Sequence, residues 1–102
     1  MFGWFTKRRR RKIIQSSFPA AWENILRRNV AHFNVLSSEE QERLRNLIKV
    51  FIAEKEWVGC GGLDLTDDMR ITIAAMACLM ILNIGHNYYE NVETILVYPE
   101  DV

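Results

Sequence analysis

Apolar residues recur along this chain in three helical stretches and close on one short β-branched run. The clearest stripe is Leu44, Leu47, Ile48, Phe51 and Ile52, spaced by three, one, three and one, which traces one face of a 3.6-residue helix. Glu42, Arg45, Lys49 and Glu56 fall on the opposite side. Ser37 followed three residues later by Glu40 reads as a capping box, with Ser38 and Gln41 as the alternative register. The pattern therefore predicts a helix from this cap to about residue 55. An earlier, shorter helix is predicted near Pro19, capped by Ser17, with Ala21, Trp22, Ile25 and Leu26 on one stripe and Arg27-Arg28 at its cation-favouring end. Val30 to Leu36 is a connector apolar enough to pack.

The third helix follows Thr66, a capping residue, with Asp67 and Asp68 in its first turn. From Met69 to about Asn83 it is apolar nearly all round, and its longest uninterrupted run, Ile73 to Leu82, is ten residues. That is about half of a bilayer span, so a core helix is expected, one that must be covered on most sides. The preceding long helix covers only one of them. Gly85 is placed to end it, and His86 to Asn91 reads as a polar, aromatic turn. Thr94, Ile95, Leu96, Val97 and Tyr98 then form a β-branched run stopped by Pro99, a strand by propensity. One strand is not a sheet. Its partner is expected in residues 57–65, in another molecule, or in polypeptide outside this sequence. The expected fold is thus α+β and mostly helical: three main helices, the strand Thr94–Tyr98, and a short strand or tight turn around 57–65, where three glycines fall in four positions.

Charge changes this picture at one end. The chain has 102 residues and 13 basic against 13 acidic side chains, room for one domain. Six of those bases are Lys7, Arg8, Arg9, Arg10, Arg11 and Lys12, and the first twelve residues hold no acid. The rest of the chain therefore carries a net charge of −6. A nucleic-acid-binding domain would place its positive charge on the folded surface, which this one does not. Residues 1–17 are expected to be a mobile head, because a block of like charge repels itself and resists helix formation. Two readings of it stand: a solvated tail, or a contact with an anionic membrane or nucleic acid in which Phe2, Trp4 and Phe5 precede the basic run as interfacial anchors. Residues 18–102 form the body.

Candidate chemistry is sparse. A catalytic zinc needs about three protein ligands, and the two histidines, His32 and His86, stand 54 residues apart. His86 and Glu90 share a spacing of four, but two ligands make a poor site. Cys60 and Cys78 form neither a C-x-x-C nor a secreted disulfide framework, which suits a reducing compartment. Cys60 lacks a local nucleophile signature, and Cys78 reads as core packing. The glycine run lacks the Gly-Lys-Ser/Thr ending of a phosphate loop. Asp64, Asp67 and Asp68 are better explained by capping than by metal binding. No complete active site is encoded in these residues, and no metal or catalytic residue is assigned.

Several segments in order nevertheless resemble one family. Gly59-Cys60-Gly61-Gly62-Leu63-Asp64-Leu65-Thr66-Asp67-Asp68-Met69-Arg70, the Ile71–Leu82 helix, Tyr88-Tyr89 and Thr94-Ile95-Leu96-Val97-Tyr98-Pro99 are similar to the amino-terminal third of the Mlc titration factor A (MtfA) family of bacterial zinc-dependent peptidases. The basic leader, Phe18-Pro19-Ala20-Ala21-Trp22 and Phe51-Ile52-Ala53-Glu54-Lys55 fit as well. The resemblance implies a protein more than twice as long, cytoplasmic, whose His-Glu-x-x-His helix and remaining zinc ligand follow position 102. There the histidines would hold zinc and the glutamate would activate its water. It implies no cofactor within these residues, zinc in the full-length protein, and, by analogy with the enterobacterial member, the glucose repressor Mlc as a partner. Under it, this chain is a structural region, inactive alone, whose partner is the downstream catalytic part or, failing that, a second copy paired through Thr94–Tyr98. The competing expectation is a free-standing helical interaction or regulatory module with a membrane- or nucleic-acid-contacting head.

Overall fold

A computed structural model describes residues 2–84 and 93–99, with side chains from 8–83 and 93–99. In chain order the elements are α1 (Phe2–Gln15), α2 (Ala20–Asn29), a 3-10 turn (Ala31–Val35), α3 (Ser38–Glu54), β1 (Glu56–Gly59), α4 (Asp67–Ile84) and β2 (Thr94–Val97). This is a mostly helical α+β fold. The predicted turn at His86–Asn91 and the cap at Gly85 lie outside the described residues.

The capping box at the start of α3 forms as read from the sequence. Ser37 Oγ accepts from the Glu40 N–H, and Glu40 Oε1 accepts from the Ser37 N–H at 3.0 Å. This satisfies two of the orphan donors at the helix start. At α4, Thr66 Oγ1 accepts from the Met69 N–H at 3.3 Å. At α2 the cap differs from the expectation: Pro19, not Ser17, occupies the N-cap position, and no side chain caps the helix. Pro19 holds an extended backbone, with φ −59° and ψ 140°, so its ring lies just ahead of the first turn, where its missing N–H costs nothing.

The core gathers Ile25, Leu26 and Val30 from the end of α2, Phe33 from the 3-10 turn, Leu44, Ile48 and Phe51 from α3, and Ile71, Ala74, Ala75 and Cys78 from α4. The α4 positions recur at three, one and three, so a single stripe of α4 meets both α2 and α3. Its small residues, Ala74 and Ala75, let the helices approach closely. Phe18, Trp22, Leu47, Trp57 and Ile95 pack around this centre.

α1 is a second departure from expectation. The basic head is helical from Phe2 to Gln15 and packs on α3. Two contacts explain why a block of like charge nonetheless winds into a helix. Arg10 donates to both carboxylate oxygens of Glu54, from Nε at 2.5 Å and from Nη2 at 2.9 Å. Lys49 Nζ donates to the carbonyls of Ile14 at 2.7 Å and Ser16 at 2.6 Å. The ammonium thus sits on orphan acceptors at the negative end of the α1 dipole. Lys49, placed by its sequence pattern on the solvent face of α3, is buried instead.

Candidate interaction surface

β1 and β2 pair in parallel, with Trp57 opposite Ile95, Val58 opposite Leu96 and Gly59 opposite Val97. Of the three partners expected for the terminal strand, the structure shows the one within this sequence, at residues 56–59, and α4 forms the crossover that a parallel pair requires. β2 ends at Val97, so Tyr98 lies just past the strand. The Cys60 N–H donates to the Val97 carbonyl at 2.7 Å and the Glu56 N–H to the Glu93 carbonyl at 2.8 Å, closing the ribbon at both ends.

The glycine run is what turns β1 into α4. Gly61 and Gly62 adopt φ of +64° and +79°, the left-handed region that side chains disfavour. Gly59 is needed for space: a Cβ there would stand 2.1 Å from the Leu63 carbonyl oxygen. These glycines serve backbone geometry rather than phosphate binding.

The two faces of the ribbon differ. Trp57 and Ile95 turn inward onto the core, where the Trp57 ring stands 6.0 Å from Phe51, edge to face. Val58 and Leu96, paired directly, face outward, and Leu96 is 54% exposed. Tyr98 continues this outer side at 67% exposed. α4 also carries apolar residues away from its core stripe, with Met76 59% exposed and Met80 exposed one turn later. Trp57 Nε1 is buried with no hydrogen-bond partner among the described residues.

The α2–α3 side is finished differently. Arg45 forks onto Glu23, its Nε and Nη2 donating to the two carboxylate oxygens at 2.8 and 3.0 Å, and Arg27 joins the same carboxylate at 2.8 Å. Both guanidinium groups also lie over the Phe33 ring, at 5.1 Å for Arg27 and 5.3 Å for Arg45, a cation–π arrangement. The hydrogen bonds from Arg45 hold the Glu23 carboxyl below its ordinary value against the opposing effect of partial burial, and the attraction of both arginines adds to it. Farther along, Arg28 and Asn29 reach Asp68, and Asn29 also donates to Thr72 Oγ1, tying the end of α2 to the start of α4. Asp68 is thus engaged by Arg28 and Asn29, and Asp67 pairs with Arg70 at 3.3 Å.

Among the described residues, the chemistry-bearing side chains do not converge. His32 is exposed on the 3-10 turn. Cys78 is fully buried, and desolvation pushes its thiol up to about 12, far from the thiolate a nucleophile needs at neutral pH. Cys60 is half-buried in the glycine turn. An apolar groove of about 450 Å³ lies between α1 and α3, lined by Ile13, Trp22, Lys49 and Ile52 among others, with no carboxylate or imidazole on its walls. Among the described residues no three His, Cys, Asp or Glu side chains come together to hold a metal ion, and no helix is long and apolar enough to cross a membrane. These residues do not fit a zinc site. Of the residues singled out from the sequence, Arg8, Arg9, Arg11 and Lys12 are exposed along α1, Arg10 is turned to Glu54, and the side chain of Lys7 lies outside the described set.

Comparison with known proteins decides the kinship. The model of the glucose-regulated metallo-peptidase M90 family matches residues 4–102. The chain belongs to this family. It is 36% identical over 92 residues to the uncharacterized protein slr2042 of Synechocystis, covering 90% of this chain and 34% of that protein. With the Mlc titration factor A of Klebsiella pneumoniae it shares 35% identity over 79 residues, 76% of this chain and 29% of the other. The protein of the same name from Escherichia fergusonii is 32% identical over 78 residues, again 76% and 29%. The chain spans about a third of the length of these curated relatives.

Proposed function

We propose that these residues are the amino-terminal structural region of a bacterial, cytoplasmic zinc-dependent peptidase, and that the outer side of β1, β2 and α4 is where the catalytic remainder docks. One observation carries the reading. A parallel pair of strands normally lies within a larger sheet with both faces covered, yet here two four-residue strands leave Val58, Leu96 and Tyr98 facing outward. A further strand and a covering layer would complete this ribbon. The exposed methionines of α4 suit the same partner, since their flexible side chains adapt to irregular surfaces.

In this reading zinc is held entirely by residues of the remaining two-thirds of the family's length, and the present residues supply neither ligand nor general base. Their contribution is positional, as the packed core of α2, α3 and α4 holds the ribbon at a fixed angle. Mlc, named in the enterobacterial relatives, is then a partner of the whole protein.

The test is a zinc titration by calorimetry of this chain and of a chimera in which it replaces the matching third of the Synechocystis relative. The chain alone should show no sub-micromolar, one-to-one binding. The chimera should bind one zinc and hydrolyse an unstructured protein substrate in a chelator-sensitive way. Tight stoichiometric zinc binding by the chain alone would overturn the proposal, as would a folded chimera without metal.

A further inference from the structure

We infer that the groove between α1 and α3 binds a small amphiphile, a single carboxylate carried on an unbranched aliphatic chain. The groove offers about 450 Å³, within the range of small-molecule pockets. Its apolar walls are Ile13 of α1, Pro19 and Trp22 at the start of α2, and Ile52 and Ala53 of α3. Lys12 and Lys49 also line it, and no acid does. Lys49 is 8% exposed, and its ammonium donates to two neutral acceptors, the carbonyls of Ile14 and Ser16. An ammonium has three donors, so one N–H is left over, with no acceptor for it among the described residues. The end of a helix supplies only about half a unit of negative charge, which leaves the buried cation incompletely balanced. Acids on the flanking elements are already engaged: Glu54 is held by Arg10, and Glu23 by Arg45 and Arg27. Lys12 lines the groove from an exposed position and makes no ion pair among the described residues.

Three features of the lining select this occupant. The two lysines call for an anion. The apolar walls call for a tail without polar groups, since each polar group buried there without a partner costs free energy. The backbone of α1 and α3 is paired within each helix, and the carbonyls freed at the end of α1 are already held by Lys49. A peptide laid in the groove would therefore find few partners for its own amides, and a nucleotide few for its sugar and base. A carboxylate on a hydrocarbon chain leaves nothing unpaired. Its head takes the third N–H of Lys49 and the ammonium of Lys12, and its tail lies along Trp22 and Ile52. An amphiphile so placed bridges α1 to α2 and α3 and holds the basic helix on the body. This inference does not depend on the peptidase reading.

The experiment is isothermal calorimetry of the full chain with decanoate, decanol and acetate, each below its micelle-forming concentration. Decanoate should bind one-to-one with a Kd below about 0.1 mM. Decanol, which keeps the tail and lacks the charge, should bind at least about tenfold more weakly, and acetate should not saturate the chain. Ala53→Trp, at an exposed position, should fill the groove and lower the affinity for decanoate about tenfold or more. Lys12→Gln should lower it about threefold and Lys49→Met at least about tenfold. Lys49→Met also releases the α1 carbonyls, so circular dichroism checks its fold; should it fail to fold, decanol and Ala53→Trp decide. Equal affinity for decanoate and decanol would overturn the inference, as would affinity unchanged by Ala53→Trp or by the lysine variants. Two other occupants are read in the same series. Tighter binding of the peptide acetyl-Ala-Ala-Phe than of decanoate would assign the groove to a chain end. A dimer in sedimentation equilibrium that Ala53→Trp dissolves would assign it to a second copy. Either result overturns the inference.

Discussion

The two long helices, α3 and α4, share a core but present different outsides. α3 buries Leu44, Ile48 and Phe51 and shows glutamates and arginines to solvent and to Glu23. α4 buries Ile71, Ala74, Ala75 and Cys78, yet its other side carries Met76 and Met80 rather than charge. α3 therefore has the outside of a helix at a finished surface, whereas α4 and the two-stranded ribbon each carry apolar side chains on both faces. The lesson is that completeness of a fold can be judged element by element, from what lies opposite each buried stripe.

Breaking the shared core should have the largest effect. Leu44 is fully buried at the centre, and Leu44→Ala should cost about 3 kcal/mol by lost burial and cavity formation, read by urea denaturation. Next comes the turn that aims the ribbon. Gly59→Ala drives a Cβ into the Leu63 carbonyl oxygen, and a loss of about 2 kcal/mol is expected from the forced backbone shift. A neutral result there would mean that β1 is not held as described.

The finished side can be tested through pH. Glu23 has a folded pKa lowered from its ordinary 4.5. A depressed carboxylate contributes stability that is present above its unfolded value and lost as pH falls through the folded one. Wild-type stability should thus decline below about pH 4.5, and Glu23→Gln should flatten part of that slope while costing about 1–2 kcal/mol at neutral pH. Thiol labelling sharpens the comparison with a smaller readout. Half-buried Cys60 should react with an alkylating reagent in the native state, and Cys78, its thiol pushed up to about 12, only on unfolding. Simultaneous labelling would show that α4 opens locally.

Much of this was legible from residue order. The stripe from Leu44 to Ile52, the Ser37–Glu40 box and the Thr66 cap are local patterns, set by neighbours within a turn or two, and each forms as read. For α4 the apolar character led to an expectation of cover on most sides, whereas α2 and α3 cover one stripe and leave Met76 and Met80 exposed. The sequence reading failed where distant parts meet. Lys49 lies on the polar side of its own helix by periodicity, and only the arrival of α1 carbonyls makes burial of its ammonium favourable. The helicity of the basic head likewise depends on Glu54 and Lys49, which no window around Lys7–Lys12 contains. Ser17 was a reasonable cap by residue type, but Pro19 fixes the entry of the chain two residues later. Pairing of Thr94–Val97 with residues 56–59 was one of three options, because register between separated strands is written in tertiary packing rather than in either strand alone.

The central claim is that the apolar outside of α4 and β2 is an interface with the family's catalytic remainder, and the double variant Met76→Lys, Leu96→Lys tests it most directly. In the isolated chain these exposed positions should change stability by no more than about 0.5 kcal/mol. In the chimera with the Synechocystis relative the same two lysines should reduce chelator-sensitive peptide hydrolysis by tenfold or more (about 1.4 kcal/mol), as buried charges prevent docking. Unchanged activity of the lysine-bearing chimera would contradict the account.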